Sequence, residues 1–317
     1  MYLGIEIGGT KLQVAAGRND GRLLAVRRWR VRPESGGPGI QNQLAAGVPE
    51  LLRDLQLEPS QVVRLGIGFG GPVDDRNRRV IKSHQIAGWD DFPLAAWAEQ
   101  TFGIPTVIGN DADVAGLGEA TWGAGRGLSP IFYVTIGSGI GGALILEGRI
   151  HRGTGVGAGE IGHLWIDTAV DAVDLRPDQP PWSILEHRSS GWAIQRAAGR
   201  ADVPAVAAAA AAGSVADQRV LEAARRRLAL ALSYVVALIC PRRIILGGGV
   251  ALLGEERFLA PLRAELHRLA FPPFAAEYDV CAAALGEEVV LHGALALAAK
   301  ATDETGEFGR PPRTPVK

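Results

Sequence analysis

The sequence predicts a two-domain α/β protein, and three observations carry that prediction. Its 317 residues are enough for two domains of ordinary size, each with its own buried core. The first 30 residues read as strand, glycine turn, strand, turn, strand. A strand, glycine turn, strand pattern then returns near residue 131. Gly4-Ile5-Glu6-Ile7-Gly8-Gly9-Thr10 and Val134-Thr135-Ile136-Gly137-Ser138-Gly139-Ile140-Gly141-Gly142 thus share one plan, in which an apolar strand delivers consecutive glycines to a tight turn and a second strand leaves it. Two such halves facing each other would make a cleft with a phosphate-cradling hairpin on each wall.

Taken in order, the opening meander is expected at Tyr2 to Ile7, Lys11 to Ala16 and Arg22 to Arg30. A helical period follows over about Ile40 to Leu57, then an apolar strand around Val62 to Phe69 and a Pro-Val-Asp-Asp turn at Pro72 to Asp75. Another strand and helix precede a strand at Ile104 to Ile108. The second hairpin is expected at Ile131 to Ile136 and Ala143 to Leu146, with five small residues between Gly137 and Gly142 exceeding what a hairpin turn requires. Asp167 to Pro181 is acidic and proline-bearing, hence a loop. An alanine-rich helix follows, then a long helix from about Val215 to Ile239, a strand at Ile244 to Leu246 and the triple glycine Gly247-Gly248-Gly249. The domains expected are 1–113, with a C-terminal helix at about 286–300 packing back on it, and 114–285. The polar tail 301–317 is expected to be disordered.

Composition excludes several classes. A formal net charge of −1 without a basic stripe argues against nucleic acid as partner. The longest apolar stretch, Leu228 to Cys240, is shorter than the ~20 residues of a spanning helix and is flanked by arginines, so it reads as a buried core helix and no membrane is expected. The N-terminal run lacks the charged and apolar regions of a signal peptide, which predicts a cytoplasmic protein. The two cysteines, Cys240 and Cys281, cannot build a disulfide framework or a cysteine-rich metal site and read as small buried hydrophobes.

Successive glycines let backbone N–H groups converge on an anion. Singly, the turns at Gly8-Gly9, Gly137-Ser138-Gly139 and Gly247 to Gly249 are structural; together they favour a nucleotide. Gly109-Asn110-Asp111-Ala112-Asp113 lies where a buried strand meets a helix beginning near Val114, the place where α/β sheets present ligand-facing groups. Asp111 is the candidate general base, while Asp113 reads as a helix cap. Glu160 and His163, in a glycine-broken turn, could present an acceptor and a switchable donor to sugar hydroxyls. Glu186 by itself reads as a solvated helix residue.

The motifs IEIGGTK, GFGGPVD, NDADVAGLGE, TIGSGIGGALILEGRIHRG, GEIGHLWID and LGGG, in order over about residues 2 to 299, resemble the ROK family of sugar kinases and related repressors, which includes bacterial glucokinases. The resemblance implies two ribonuclease-H-like domains of the actin, hexokinase and Hsp70 ATPase superfamily, with ATP and Mg²⁺ in the interdomain cleft. It puts the catalytic base on Asp111 and the sugar on Asn110, Gly71, Glu160, His163 and Glu186. It gives phosphate to Gly8, Gly9, Thr10, Lys11, Gly137, Ser138 and Gly139, and adenosine to Gly247, Gly248 and Gly249. The acceptor it implies is a hexose hydroxyl, the primary one at C6, and relatives are often dimers or higher homo-oligomers. Family repressors carry an extra N-terminal helix-turn-helix domain, whereas this chain opens on the first phosphate strand, so a kinase is preferred.

Three departures from the family pattern stand out. Glu6 replaces the usual Asp that organises the Mg²⁺ shell. Asp167 to Ser183 replaces the cysteine-rich zinc loop, so no structural zinc is expected. Gly109 and Asp113 replace the outer residues of the E-N-D-A-N motif. Two other readings remain open: a sugar-sensing protein without phosphoryl transfer, and a kinase that takes polyphosphate as donor. The choice of hexose is expected to depend on His84, Gln85 and the segment 167–183.

Overall fold

The computed structural model describes residues 1–83, 85–154, 157–167 and 182–307. His84, residues 168–181 of the expected acidic loop and the tail beyond residue 307 lie outside them. The chain divides into two compact units, Met1–Val114 with the chain from Val290 onward, and Ala115–Val289.

The first unit opens with the meander β1 (Tyr2–Ile7), β2 (Lys11–Gly17) and β3 (Leu23–Arg30). Next come α1 (Gly36–Asp54), β4 (Arg64–Phe69), the short ribbon β5 (Val73–Asp74) with β6 (Arg79–Val80), α2 (Leu94–Phe102) and β7 (Thr106–Asn110). Its sheet has the order β3-β2-β1-β4-β7, antiparallel through the meander and parallel across β1, β4 and β7. Strands covered on both faces must be apolar nearly throughout. Leu3, Ile5, Leu65 and Ile67 accordingly join Leu44, Val48 and Leu51 of α1 in the core. α1 begins four residues before the expected Ile40, because Gly37 N–H finds the Ala87 carbonyl at 2.8 Å and anchors a glycine stretch that reads as loop in isolation.

α3 (Asp111–Trp122) leads into the second unit. There follow β8 (Ile131–Ile136), β9 (Ile140–Leu146), β10 (Arg149–Ile150), the ribbon β11 (Trp165–Asp167) with β12 (Trp182–Ile184), α4 (Glu186–Ser189), α5 (Gly191–Ala198) and α6 (Val203–Ala211). The unit continues with α7 (Val215–Ile239), β13 (Arg243–Gly247), α8 (Ala260–Leu269) and β14 (Asp279–Ala282). Its sheet order, β10-β9-β8-β13-β14, repeats the first: an antiparallel meander followed by two parallel strands. The similarity of the two halves read from their glycine hairpins is therefore a similarity of whole sheets. Glu119, the last residue of the NDADVAGLGE motif, is fully buried near the end of α3. Its carboxylate accepts from the amides of Ala124 at 2.7 Å and of Ala284 and Leu285 at 2.9 Å, which is how a buried charge is kept satisfied.

α9 (Val289–Glu307) returns to the first sheet. A Cβ on Gly4 would lie 2.9 Å from the Leu291 carbonyl oxygen, and one on Gly66 would strike the Ala294 carbonyl, so helix and sheet meet backbone to backbone. Arg64 Nε reaches Thr302 Oγ1 at 3.3 Å, and the helix runs on to Glu307. The expected disorder from residue 301 is thus corrected over 301–307, where Ala301 and Thr302 extend a helix that is docked at Arg64.

Two further expectations change. α7 ends in a left-handed cap at Cys240 (φ 47°), and Leu228, Leu232 and Val236 are buried, but Leu238 is 85% exposed, so the apolar stretch is one-sided rather than enclosed. Cys240 and Cys281 are half-buried rather than buried. Among the described residues no helix is long and apolar enough to cross a membrane.

Candidate active site

In the first unit the C-terminal ends of the parallel strands β1, β4 and β7 bring three segments together. Gly8 N–H donates to the Lys11 carbonyl at 2.9 Å and closes the β1–β2 turn, so it serves the hairpin while Gly9 and Thr10 form its tip. Gly70, just past β4, donates to the Ile7 carbonyl at 2.8 Å. A Cβ placed on Gly70 would be 3.4 Å from Asp111 Oδ2 and 3.4 Å from the Gly8 Cα, so the Asp111 carboxylate and the glycine turn border the same small gap. Gln85 packs over Gly9, where a side chain would collide with it.

The cap of α3 falls on Asn110 and not on Asp113. Asn110 Oδ1 accepts from the amides of Ala112 at 2.9 Å and Asp113 at 3.3 Å, while its Nδ2 donates to the Gly71 carbonyl at 3.0 Å. Asp113, 4% exposed, sits in the first helical turn, where a carboxylate is favoured by the helix dipole. Asn110 and Gly71 are therefore brought together by a bond that also fixes the start of the helix carrying Asp111. Ala112 N–H is shared with Asp111 Oδ1 at 2.9 Å, which turns Oδ2 toward Gly70.

Glu6 stands directly opposite Gln13 on β2, whose Nε2 donates to Glu6 Oε2 at 2.6 Å; Glu6 Oε1 lies 3.8 Å from the Cβ position of Gly8. Among the described residues no group of three or more His, Cys, Asp or Glu could hold a metal by itself. Mg²⁺ that keeps several waters and shares phosphate oxygens requires only one or two carboxylates, and Glu6 beside the glycine turn fits that need.

In the second unit the turn proper is only Gly137-Ser138-Gly139, since Gly141 and Gly142 are already in β9, paired with Thr135 and Val134. Gly142 is small because the Gly159 carbonyl lies against it, and Gly162 is small because the Ile140 carbonyl does. These contacts lay the Glu160–His163 segment along β9. Glu186 is not simply a solvated helix residue: its Oε2 accepts from Ile140 N–H at 2.8 Å and occupies the space a Gly139 side chain would need. The Glu160 carboxyl is pushed above the usual carboxylate range, chiefly by desolvation and further by the charge of Glu186, with His163 opposing. Glu160, His163 and Glu186 thus form one electrostatic group.

Behind this turn lies a pocket of about 470 Å³, bordered by Gly137, Ser138, Gly191 and Gly249, walled by Val203, Pro204, Val250 and Leu253, and reached by Arg257. Trp192 (53% exposed) and Leu252 (71% exposed) also line it. Large apolar groups left open at a concavity are characteristic of ligand sites. Of the triple glycine only Gly249 borders the pocket. A Cβ on Gly247 would strike the Tyr133 hydroxyl, and a Cβ on Gly248, which is at φ +81°, would lie 2.6 Å from Ile136 backbone atoms, so these two serve the turn. Sequence reading missed Trp192, Leu252 and Arg257, because single apolar or basic residues in short helices and turns carry no periodic signal.

The ROK family pattern matches residues 2–301. The chain belongs to the ROK family. This ROK chain is 26% identical to a glucokinase of Halalkalibacterium halodurans, over 92% of its own length and 93% of that protein. It superposes on a ROK hexokinase from Thermus thermophilus with a TM-score of 0.80 at 29% identity, covering 96% and 99% of the two chains. A ROK family glucokinase from Streptomyces griseus, solved with glucose and AMPPNP, aligns with a TM-score of 0.77 at 28% identity over 94% and 99%. The fold of this ROK chain is the expected one, two α/β units of the actin and hexokinase ATPase type.

Proposed function

We propose that this ROK protein is a sugar kinase that transfers the γ-phosphoryl group of ATP to a hexose hydroxyl, with Asp111 as general base. The observation that carries the proposal is the Asp111 carboxylate set beside the Gly8 turn at the ends of β1, β4 and β7. Phosphoryl transfer asks little covalent chemistry of a protein and depends on positioning and electrostatics. Asp111 Oδ2 takes the proton of the attacking hydroxyl, the one at C6, as the sugar oxygen bonds to the γ-phosphorus and the bond to the β–γ bridging oxygen breaks, releasing ADP. Glu160, His163 and Glu186 hold sugar hydroxyls as acceptors and donors, and Asn110 fixes the backbone around Gly71 and Asp111. Glycine-turn amides at Gly9, Thr10, Ser138 and Gly139 stabilise the phosphates, with Lys11 adding charge. Glu6 would hold Mg²⁺, which when bound neutralises phosphate charge.

The pocket beside Gly137 and Gly249 supports a nucleoside donor over polyphosphate. Among the described residues its lining is mostly apolar, with Asp202 and a single cation, Arg257, whereas a polyanion chain would call for a run of basic side chains. The glucose and AMPPNP bound by the S. griseus glucokinase support the same pairing of substrates. An ADP-release assay over a panel of hexoses and N-acetylhexosamines, repeated with polyphosphate, tests the proposal. ATP-dependent turnover of at least one sugar is expected; sugar binding without ADP release from any of them would leave a sensing protein instead.

A further inference from the structure

Gln13 is 1% exposed in a strand whose neighbouring residues Leu12, Val14 and Ala15 are fully buried. An amide so placed is costly unless both its ends find partners. Both do. Gln13 pairs across the sheet with Glu6 of β1 on one side and with Arg28 of β3 on the other. Directly opposite residues project from the same face of a sheet, so the three form a polar row crossing β1, β2 and β3. Arg28 Nε donates to Gln13 Oε1 at 2.7 Å, and Gln13 Nε2 donates to Glu6 Oε2 at 2.6 Å. The direction of the row is fixed by chemistry: guanidinium only donates, carboxylate only accepts, and the amide has one end for each. A flipped amide would set N–H against N–H and oxygen against carboxylate.

The row reaches the glycine turn. A glutamate has three side-chain torsions and would sweep a wide arc, but with Oε2 tied to Gln13 the other oxygen, Oε1, is set 3.8 Å from the Cβ position of Gly8. We infer that Gln13, backed by Arg28, is a positioning residue that orients the Glu6 carboxylate toward the metal–phosphate end of the nucleotide. The inference rests on the proposed role of Glu6. Gln13 touches neither substrate nor metal and acts only through Glu6. Groups that orient a metal-binding side chain in this way are worth about 10- to 100-fold in metal affinity.

The test uses the full-length protein with Mn²⁺ and AMPPNP, reading bound Mn²⁺ by electron paramagnetic resonance, with sugar affinity and melting temperature measured alongside. Gln13→Met, similar in volume and apolar, is expected to weaken retention of Mn²⁺ with AMPPNP about 10-fold, to leave sugar affinity unchanged, and to add nothing when combined with Glu6→Gln. Arg28→Met, at the outer end of the row, is expected to give a smaller loss of the same kind and keeps the test decisive if Gln13→Met folds poorly. Unchanged Mn²⁺ retention in both variants while Glu6→Gln weakens it would overturn the role of Gln13 alone, as would multiplied losses in the double variant. If Glu6→Gln is itself silent, the reading of Glu6 falls together with the inference.

Discussion

In the first unit the glycine turn between β1 and β2 is bordered by the carboxylates of Glu6 and Asp111, whereas in the second the turn between β8 and β9, with Glu186 against Gly139, also borders a mainly apolar pocket opened by Trp192 and Leu252. Both turns leave sheets of the same strand order. The scaffold alone therefore does not assign a task to either turn. What differs is the next segment to arrive: in the first unit the end of β7 and the start of α3, in the second the Gly191 end of α5 and the residues after β13. On the proposed function the first turn serves bond making and the second serves donor binding, and variants on the two sides should fail in different ways.

The largest effect is expected for Asp111→Asn, which keeps shape and removes the base. Turnover should fall at least about 100-fold with sugar affinity retained. A variant that turns over like wild type would dissolve the contrast between the two turns. A smaller effect should follow Trp192→Ala. Loss of a stacking surface should raise the KM for ATP about 10-fold while turnover at saturating ATP and the KM for sugar stay put, and steady-state kinetics with each substrate varied in turn separates the two parameters.

The smallest effect concerns Glu160. Its folded-state pKa is raised by desolvation, so between the ordinary carboxylate value and that raised value the folded protein binds more protons than the unfolded chain. Stability is then fullest below the ordinary value and declines as pH rises through the folded one. Glu160→Gln should therefore raise the melting temperature slightly at neutral pH, with the gain vanishing in acid; thermal melts from pH 4 to pH 8 that show a constant difference, or a loss at neutral pH, would remove the desolvation account.

The meander was legible almost to the residue, because β1 and β2 are largely apolar and the three strands are separated by Gly8-Gly9 and by Asn19-Asp20-Gly21, and those local signals need no tertiary help. The position of Asp111 at a strand-to-helix junction was legible for a similar reason. Where contacts from distant segments decide, reading along the chain failed. Gly141 and Gly142 look like turn residues but are strand residues, and Gly142 is made small by Gly159 crossing β9. Glu186 looks solvated until β9 supplies the Ile140 amide. Asp113 looks like a cap, but Asn110 is held by the Gly71 carbonyl in the position to do that work. The pocket was hidden for the same cause, since Trp192 and Leu252 have no pattern until four segments converge.

The backbone contact between α9 and the first sheet limits how this enzyme could be hardened against heat. Exchanging glycine for alanine stiffens the unfolded chain and commonly raises melting temperature where the native backbone tolerates it. At Gly4, Gly66 and Gly293 the added methyl would meet a carbonyl oxygen that cannot swing aside, those of Leu291, Ala294 and Val114 in turn. Gly137 and Gly249 have open space for a methyl, but they border the pocket proposed for the donor. An engineer would do better to leave the glycines alone and shorten surface loops.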